Sequence, residues 1–148
     1  MFTVTAEPRQ AFRLAFGARL RADAGLMAIV SGPYGRLSEA ARVPYPYLVF
    51  GQQSMDRNAG AMGLAGANVS LQLDGWSDYK GPAEMDAILS RLSVLLERQT
   101  LAVPGFAMVQ GSLTCELSES FEEADEDMPD ARLFHGVQRW TAEIHEAS

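Results

Sequence analysis

The chain has 148 residues, 47% hydrophobic and 21% charged, which suits one domain with its own core. Its net charge of −7 argues against a grip on duplex DNA, and the basic residues read as scattered, Arg9, Arg13, Arg19 and Arg21 early and singles after them. Cys115 is the only cysteine, which excludes an internal disulfide and a cysteine zinc cluster.

No run approaches the roughly 18 apolar residues of a membrane span. The segment Met1 to Pro8 lacks a basic region followed by an apolar one, so the protein is expected to be used where it is translated.

Residues 8–22 predict a helix. Phe12, Phe16 and Leu20 recur every four positions, with Ala15 beside them and the arginines mostly off that stripe. Asp23 is placed to cap a second, short helix that carries Leu26, Ile29 and Val30. Residues 33–46 hold Pro33, Gly35, Pro44 and Pro46 and read as an irregular connection, with a short extended piece near Tyr34.

Tyr47-Leu48-Val49-Phe50 is apolar at every position, as in a strand covered on both faces. Residues 52–63 combine small residues with no period and predict a long hairpin loop. The clearest stretch comes next. From Ala67 to Trp76, Val69, Leu71 and Leu73 alternate with Asn68, Ser70, Gln72 and Asp74, a strand with one apolar face. After Ser77 to Pro82 the period changes. Met85, Ile88, Leu89, Leu92, Leu95 and Leu96 form the stripe of a helix running from Ala83 to about Arg98, with Pro82 suited to its first position.

Val103-Pro104-Gly105 predicts a turn. Val109, Gly111, Leu113, Cys115 and Leu117 then alternate with polar residues as a half-buried strand. A final strand spans about Leu133 to Ile144, with Trp140, Ala142 and Ile144 inward; Val137 has the opposite parity and suggests a bulge near Gly136. The order α-α-β-β-α-β-β predicts one α+β domain over 1–148. Its expected form is a two-layer sandwich: a four-stranded, mainly antiparallel sheet under one long helix and the N-terminal helices. Counting those strands in chain order, 2-1-3-4 would make the sheet wholly antiparallel. Leu71, Leu73, Ile88, Leu92, Leu95, Val109, Leu113 and Trp140 are the predicted core.

The sequence offers little chemistry. His135 and His145 sit ten residues apart on one strand, roughly 30 Å when extended, so they cannot act as a pair within one chain. His135 reads as a surface residue, His145 as part of the tail, and Cys115 as a buried structural thiol. Gly60, Gly63 and Gly66 have loop-like spacing, but a strand follows where a phosphate loop needs a helix. No cofactor, metal or catalytic residue is expected.

The segment 116–130 holds eight acids and no lysine or arginine. Asp125-Glu126-Asp127 lacks the glycine turn and the bidentate glutamate of a calcium loop. Two readings stay open: a solvated hairpin loop, or a negative surface set against DNA or a basic partner.

Taken in order, several pieces resemble a known family. They are Arg21-Ala22-Asp23-Ala24-Gly25-Leu26-Met27-Ala28-Ile29-Val30, then Pro46-Tyr47-Leu48-Val49-Phe50-Gly51, then Val69 to Trp76-Ser77. A helix with Ile88, Leu92 and Leu96 and the segment His135-Gly136-Val137-Gln138-Arg139-Trp140 follow. Together they resemble the tail-completion, or tail-terminator, proteins that join head to tail in long-tailed bacteriophages and gene-transfer particles.

The resemblance implies a structural virion protein and not an enzyme. Such proteins form a hexameric ring that caps the head-proximal end of the tail tube, ends its growth and docks the head connector, or stopper, protein. Expected partners are therefore further copies of the chain, the tail tube protein and the connector. DNA passes through without specific binding, and no membrane is involved. The place implied is the tail neck of a particle, after synthesis in the host cytoplasm.

Within that reading, Met55, Arg57, Met62 and Leu64 are candidates for a subunit or partner interface. Glu122, Glu123, Asp125, Glu126 and Asp127 are candidates for a channel-facing or partner-facing acidic loop. An acidic channel wall would let DNA slide without sticking. The rival is an acidic DNA mimic or inhibitor that binds a basic host enzyme; native mass separates it from a ring-former.

Overall fold

The computed structural model describes residues 7–35, 43–56, 66–124 and 132–146. The elements are α1 (Pro8–Arg21), α2 (Ala24–Met27), β1 (Ser31–Tyr34), β2 (Tyr47–Asp56) and β3 (Gly66–Ser77). They continue with α3 (Ala83–Leu96), β4 (Phe106–Met108), β5 (Thr114–Ala124) and β6 (Arg132–Glu146).

Local chemistry sets the helix starts. Glu7 caps α1 by accepting from Gln10 N at 3.1 Å, and Asp23 caps α2 by accepting from Leu26 N at 2.8 Å. Asp23 also holds Arg91 of α3 through two bonds of 2.6 and 2.9 Å, which ties the short helix to the long one. Pro82 is the N-cap of α3, one position before the predicted one, and makes no side-chain cap bond. The end of β3 supplies support instead: the fully buried Ser77 donates to Glu84 in the first turn of α3 at 2.7 Å and accepts from Tyr79 N.

The long strand β6 organises the sheet. Along one edge it pairs with the whole of β3, from Gly66↔His145 to Ser77↔Phe134. Its other edge is shared by β4 and β5, β4 meeting residues 144–146 and β5 residues 132–141. Beyond β3 come β2, antiparallel, and β1, parallel to β2. The result is a curled, six-stranded sheet of mixed α+β architecture, which corrects the expected four-stranded two-layer sandwich.

The strand order is corrected as well. The expected order put β2 beside β5 and left β6 at the edge; instead β6 lies between β3 and β5, and β2 pairs with β1 and β3. β3 and β5 do point the same way, as the intervening helix requires. The sheet avoids a parallel pair between them by placing β6 in the gap.

Both long helices cover one face. Phe16 of α1 meets Phe50 and Trp140 edge-on, at centroid distances of 6.3 and 6.4 Å. Seven of the eight predicted core residues are buried. Val109 is the exception at 36% exposure, because the chain turns at Gly111 (φ +78°) and β5 begins only at Thr114.

The expected bulge near Gly136 is also absent: the β3–β6 register runs unbroken there, and the irregularity lies in β5 between Cys115 and Leu117. Gly136 is needed for a different reason. A Cβ at that position would collide with Met85 of α3, so the glycine lets helix and sheet approach closely.

Buried Gln138 is the polar lock of this layer. Its amide donates to Leu89 O and Ser118 Oγ, both at 3.1 Å, and its oxygen accepts from Trp140 Nε1 at 3.0 Å. One side chain thus ties α3, β5 and β6 together, and its burial is matched by hydrogen bonds.

Candidate functional site

Strand alternation sends every second side chain of the sheet to the face that carries no helix among the described residues. The β3–β6 and β5–β6 registers place Gln72, Asp74 and Trp76 of β3 beside Leu133, His135, Val137 and Arg139 of β6. Leu117, Glu119, Phe121 and Glu123 of β5 complete that side. Tyr47 and Val49 of β2 continue the face and form a second small apolar cluster with Tyr34, Val43, Tyr45 and Trp76. Tyr45 stacks on Tyr47 with ring centroids 5.1 Å apart.

His135 lies at the centre. Its ring stacks on the Trp76 indole at 3.8 Å and is met by Phe121 at 4.9 Å. Its Nε2 is 2.7 Å from Asp74 Oδ1 and its Nδ1 is 3.2 Å from Glu123 Oε1. Burial opposes charge on this imidazole, but the two carboxylates outweigh it and raise its pKa above the ordinary 6.5. A carboxylate within hydrogen-bond distance of each ring nitrogen favours the protonated form of His135. His135 bridges three strands, which corrects the expectation of an isolated surface residue.

The acidic segment is likewise reassigned. Residues 114–124 are a strand, so Glu122 and Glu123 stand on β5 and not on a hairpin loop. Glu122 pairs with Arg132 at 3.0 Å, and Glu123 holds His135. Asp125, Glu126 and Asp127 lie outside the described residues. The polar composition suggested a loop, but an edge strand whose side chains meet water can be largely polar while β6 pairs one edge of its backbone.

Of the interface candidates, Met55 falls on β2, which extends through Asp56 and takes in the first part of the expected loop. Met55 is half-buried against the main core, while Arg57, Met62 and Leu64 lie outside the described residues. Cys115 is half-buried at the core margin, where burial pushes its thiol pKa up. His145 belongs to β6, 3.2 Å from Glu143. Among the described residues no group of three or more histidine, cysteine or acidic side chains is placed to hold a metal ion.

Sequence reasoning missed the cluster of Asp74, Trp76, Phe121 and His135. One signal was present: Trp76 shares the parity of Asp74 and Gln72, which puts a large aromatic on the polar side of its strand.

The chain is thus a small α+β domain with one helix-covered face and one face that gathers aromatic and acidic side chains. The family described as tail completion protein gp17 matches residues 15–145, and the chain belongs to that family. A solved structure with a similar fold is a chain of the "Virion of native gene transfer agent (GTA) particle". It is 20% identical, with a TM-score of 0.70, and the match covers 95% of this chain and 99% of that one. Comparison with curated proteins gives no match.

Proposed function

We propose that this tail completion protein is a structural component of a phage or gene-transfer particle and acts at the tail neck as one tail-terminator-like domain. Six copies form a ring on the head-proximal end of the tail tube. The ring stops tube growth and presents a docking surface to the head connector, and DNA passes through its channel without specific binding. The protein works by contact and carries out no reaction.

The observation that carries this reading is the family match over 15–145. The fold shared with a chain of a gene-transfer virion supports it. In this reading Met55, Arg57, Met62 and Leu64 contribute to a subunit or partner interface. Glu122, Glu123, Asp125, Glu126 and Asp127 face the channel or a basic surface of the adjoining ring. An image of the particle neck with this protein labelled tests it. A labelled ring between tube and connector with sixfold symmetry is expected; label elsewhere, or another symmetry, overturns the reading.

A further inference from the structure

The charge of this chain is polarised across its sheet. On the flank that covers β1, β2 and β3, α1 carries Arg9, Arg13, Arg19 and Arg21 and no acid; nearby acids are its cap Glu7, Asp23 just past its end and Asp56 at the end of β2. On the opposite flank β5 carries Glu116, Glu119, Glu122 and Glu123 and no base. Four strand spacings separate the two edges, roughly 19 Å at about 4.8 Å each.

Some of these charges are paired within the chain, Arg9 with Glu7, Glu122 with Arg132 and Glu123 with His135, but four of them meet no opposite charge among the described residues. Arg13 and Arg21 reach neutral oxygens, Gln53 Oε1 at 3.5 Å and Pro33 O at 2.7 Å. Among the described residues Glu116 and Glu119 have no basic partner. Apolar surface accompanies both sets. Leu14 is 56% exposed on α1, and Leu117 and Phe121 are 38% and 41% exposed on β5. Leu14 and Arg21, seven residues apart, share one side of the helix.

The two edges also differ in their backbone. β1 is blunted, since Pro33 has no N–H and its carbonyl is taken by Arg21. β5 pairs with β6 alone among the described residues, which leaves its outer edge unpaired.

We infer that copies of this chain associate head to tail through these two flanks. The β5 edge of one copy, with Glu116, Leu117 and Glu119, seats on the α1 face of the next, with Arg13, Leu14 and Arg21. The inference rests on the proposed ring and names its contact. Two different patches of one chain give a heterologous interface, the kind that closes into a ring and not into a two-fold dimer. Opposite charges steer the approach and fix the register, while the apolar side chains lose water at the centre.

Charge reversal in assembling particles tests the contact. One set is Glu116→Arg with Glu119→Arg; the other is Arg13→Glu with Arg21→Glu. Each set alone should lower the cross-linking of neighbouring copies, and the yield of joined particles, by roughly tenfold, because several attractions become repulsions. The combined sets should recover yields to within about threefold, since opposite charges again face each other.

Single sets that leave assembly intact overturn the contact. So does loss that the combined set fails to repair, which would assign these residues to the tube or connector. Imaging of the unmodified neck keeps the two ideas apart: a ring with neutral reversals rejects this contact alone, while no ring rejects the function beneath it. Thermal melting checks each variant. If a reversal unfolds the chain, Glu119→Gln and Arg13→Gln take its place, and each should flatten the salt dependence of association; unchanged salt dependence overturns the contact.

Discussion

The imidazole of His135 lies nearly parallel to the indole of Trp76, 3.8 Å away at an interplanar angle of 14°. A charged ring held over an aromatic face gains from the ring's negative quadrupole, and Asp74 and Glu123, one beside each ring nitrogen, favour that charge. The pKa of His135 is raised on folding, so the cluster stabilises the fold fully below the unfolded value of 6.5. That stability is lost as pH rises through the higher folded value. Urea midpoints measured from pH 6 upward should therefore fall with pH in the native chain, and His135→Gln should flatten that slope. An equal slope in both chains would sink the assignment.

The buried stripe of α3 is open to a direct test. Leu92 is 1% exposed and belongs to the main core. Leu92→Ala should lose about 2–5 kcal/mol in chemical denaturation, from lost transfer energy and the cavity left behind. Val94, two residues on and 67% exposed, is the control. Val94→Ala should change stability by about 0.5 kcal/mol or less.

Gly136→Ala tests the close approach of α3 to β6. The added methyl would meet Met85, whose sulfur and Cγ lie directly over the glycine. Overpacking of this kind costs about 1–3 kcal/mol. A second change, Met85→Ala, removes the obstructing side chain and should make Gly136→Ala less costly than it is alone. Additive effects would show that the glycine serves some other purpose.

The glutamates of β5 should separate by position. Glu123→Gln removes a partner of His135 and should lower the melting temperature. Glu119→Gln removes an exposed charge from an acidic strand and should leave stability unchanged or slightly higher, as repulsion between exposed charges is screened beyond about 8 Å at physiological salt. If Glu119→Gln destabilises as much as Glu123→Gln, the acids act as one network and not as separate groups.

Asp23 was legible from the sequence as a cap, and its contact with Arg91 was not. The hydrogen bonds from Arg91 outweigh partial burial and hold the Asp23 carboxyl below its ordinary range. A depressed carboxylate stabilises the fold above its unfolded value of 3.8 and ceases to do so as pH falls through the folded one. Asp23→Asn keeps an oxygen to accept from Leu26 N, so it should melt above Asp23→Ala. Equal melting would mean that charge alone matters there.

The helices, the two faces of β3, most of the core and the family were legible in the residue order, because each depends on neighbours a few residues apart or on the order of short segments. Phe12, Phe16 and Leu20 had to share a helix face, and Leu71 and Leu73 a strand face, whatever they packed against. Long-range pairing placed β6 between β3 and β5, extended β5 through Ala124, and brought His135 to Asp74 and Glu123. Those outcomes depend on strand pairing across tens of residues, where periodicity gives a face but no partner. The acidic stretch became a strand because β6 is long enough to satisfy its backbone, a fact held in another segment of the chain.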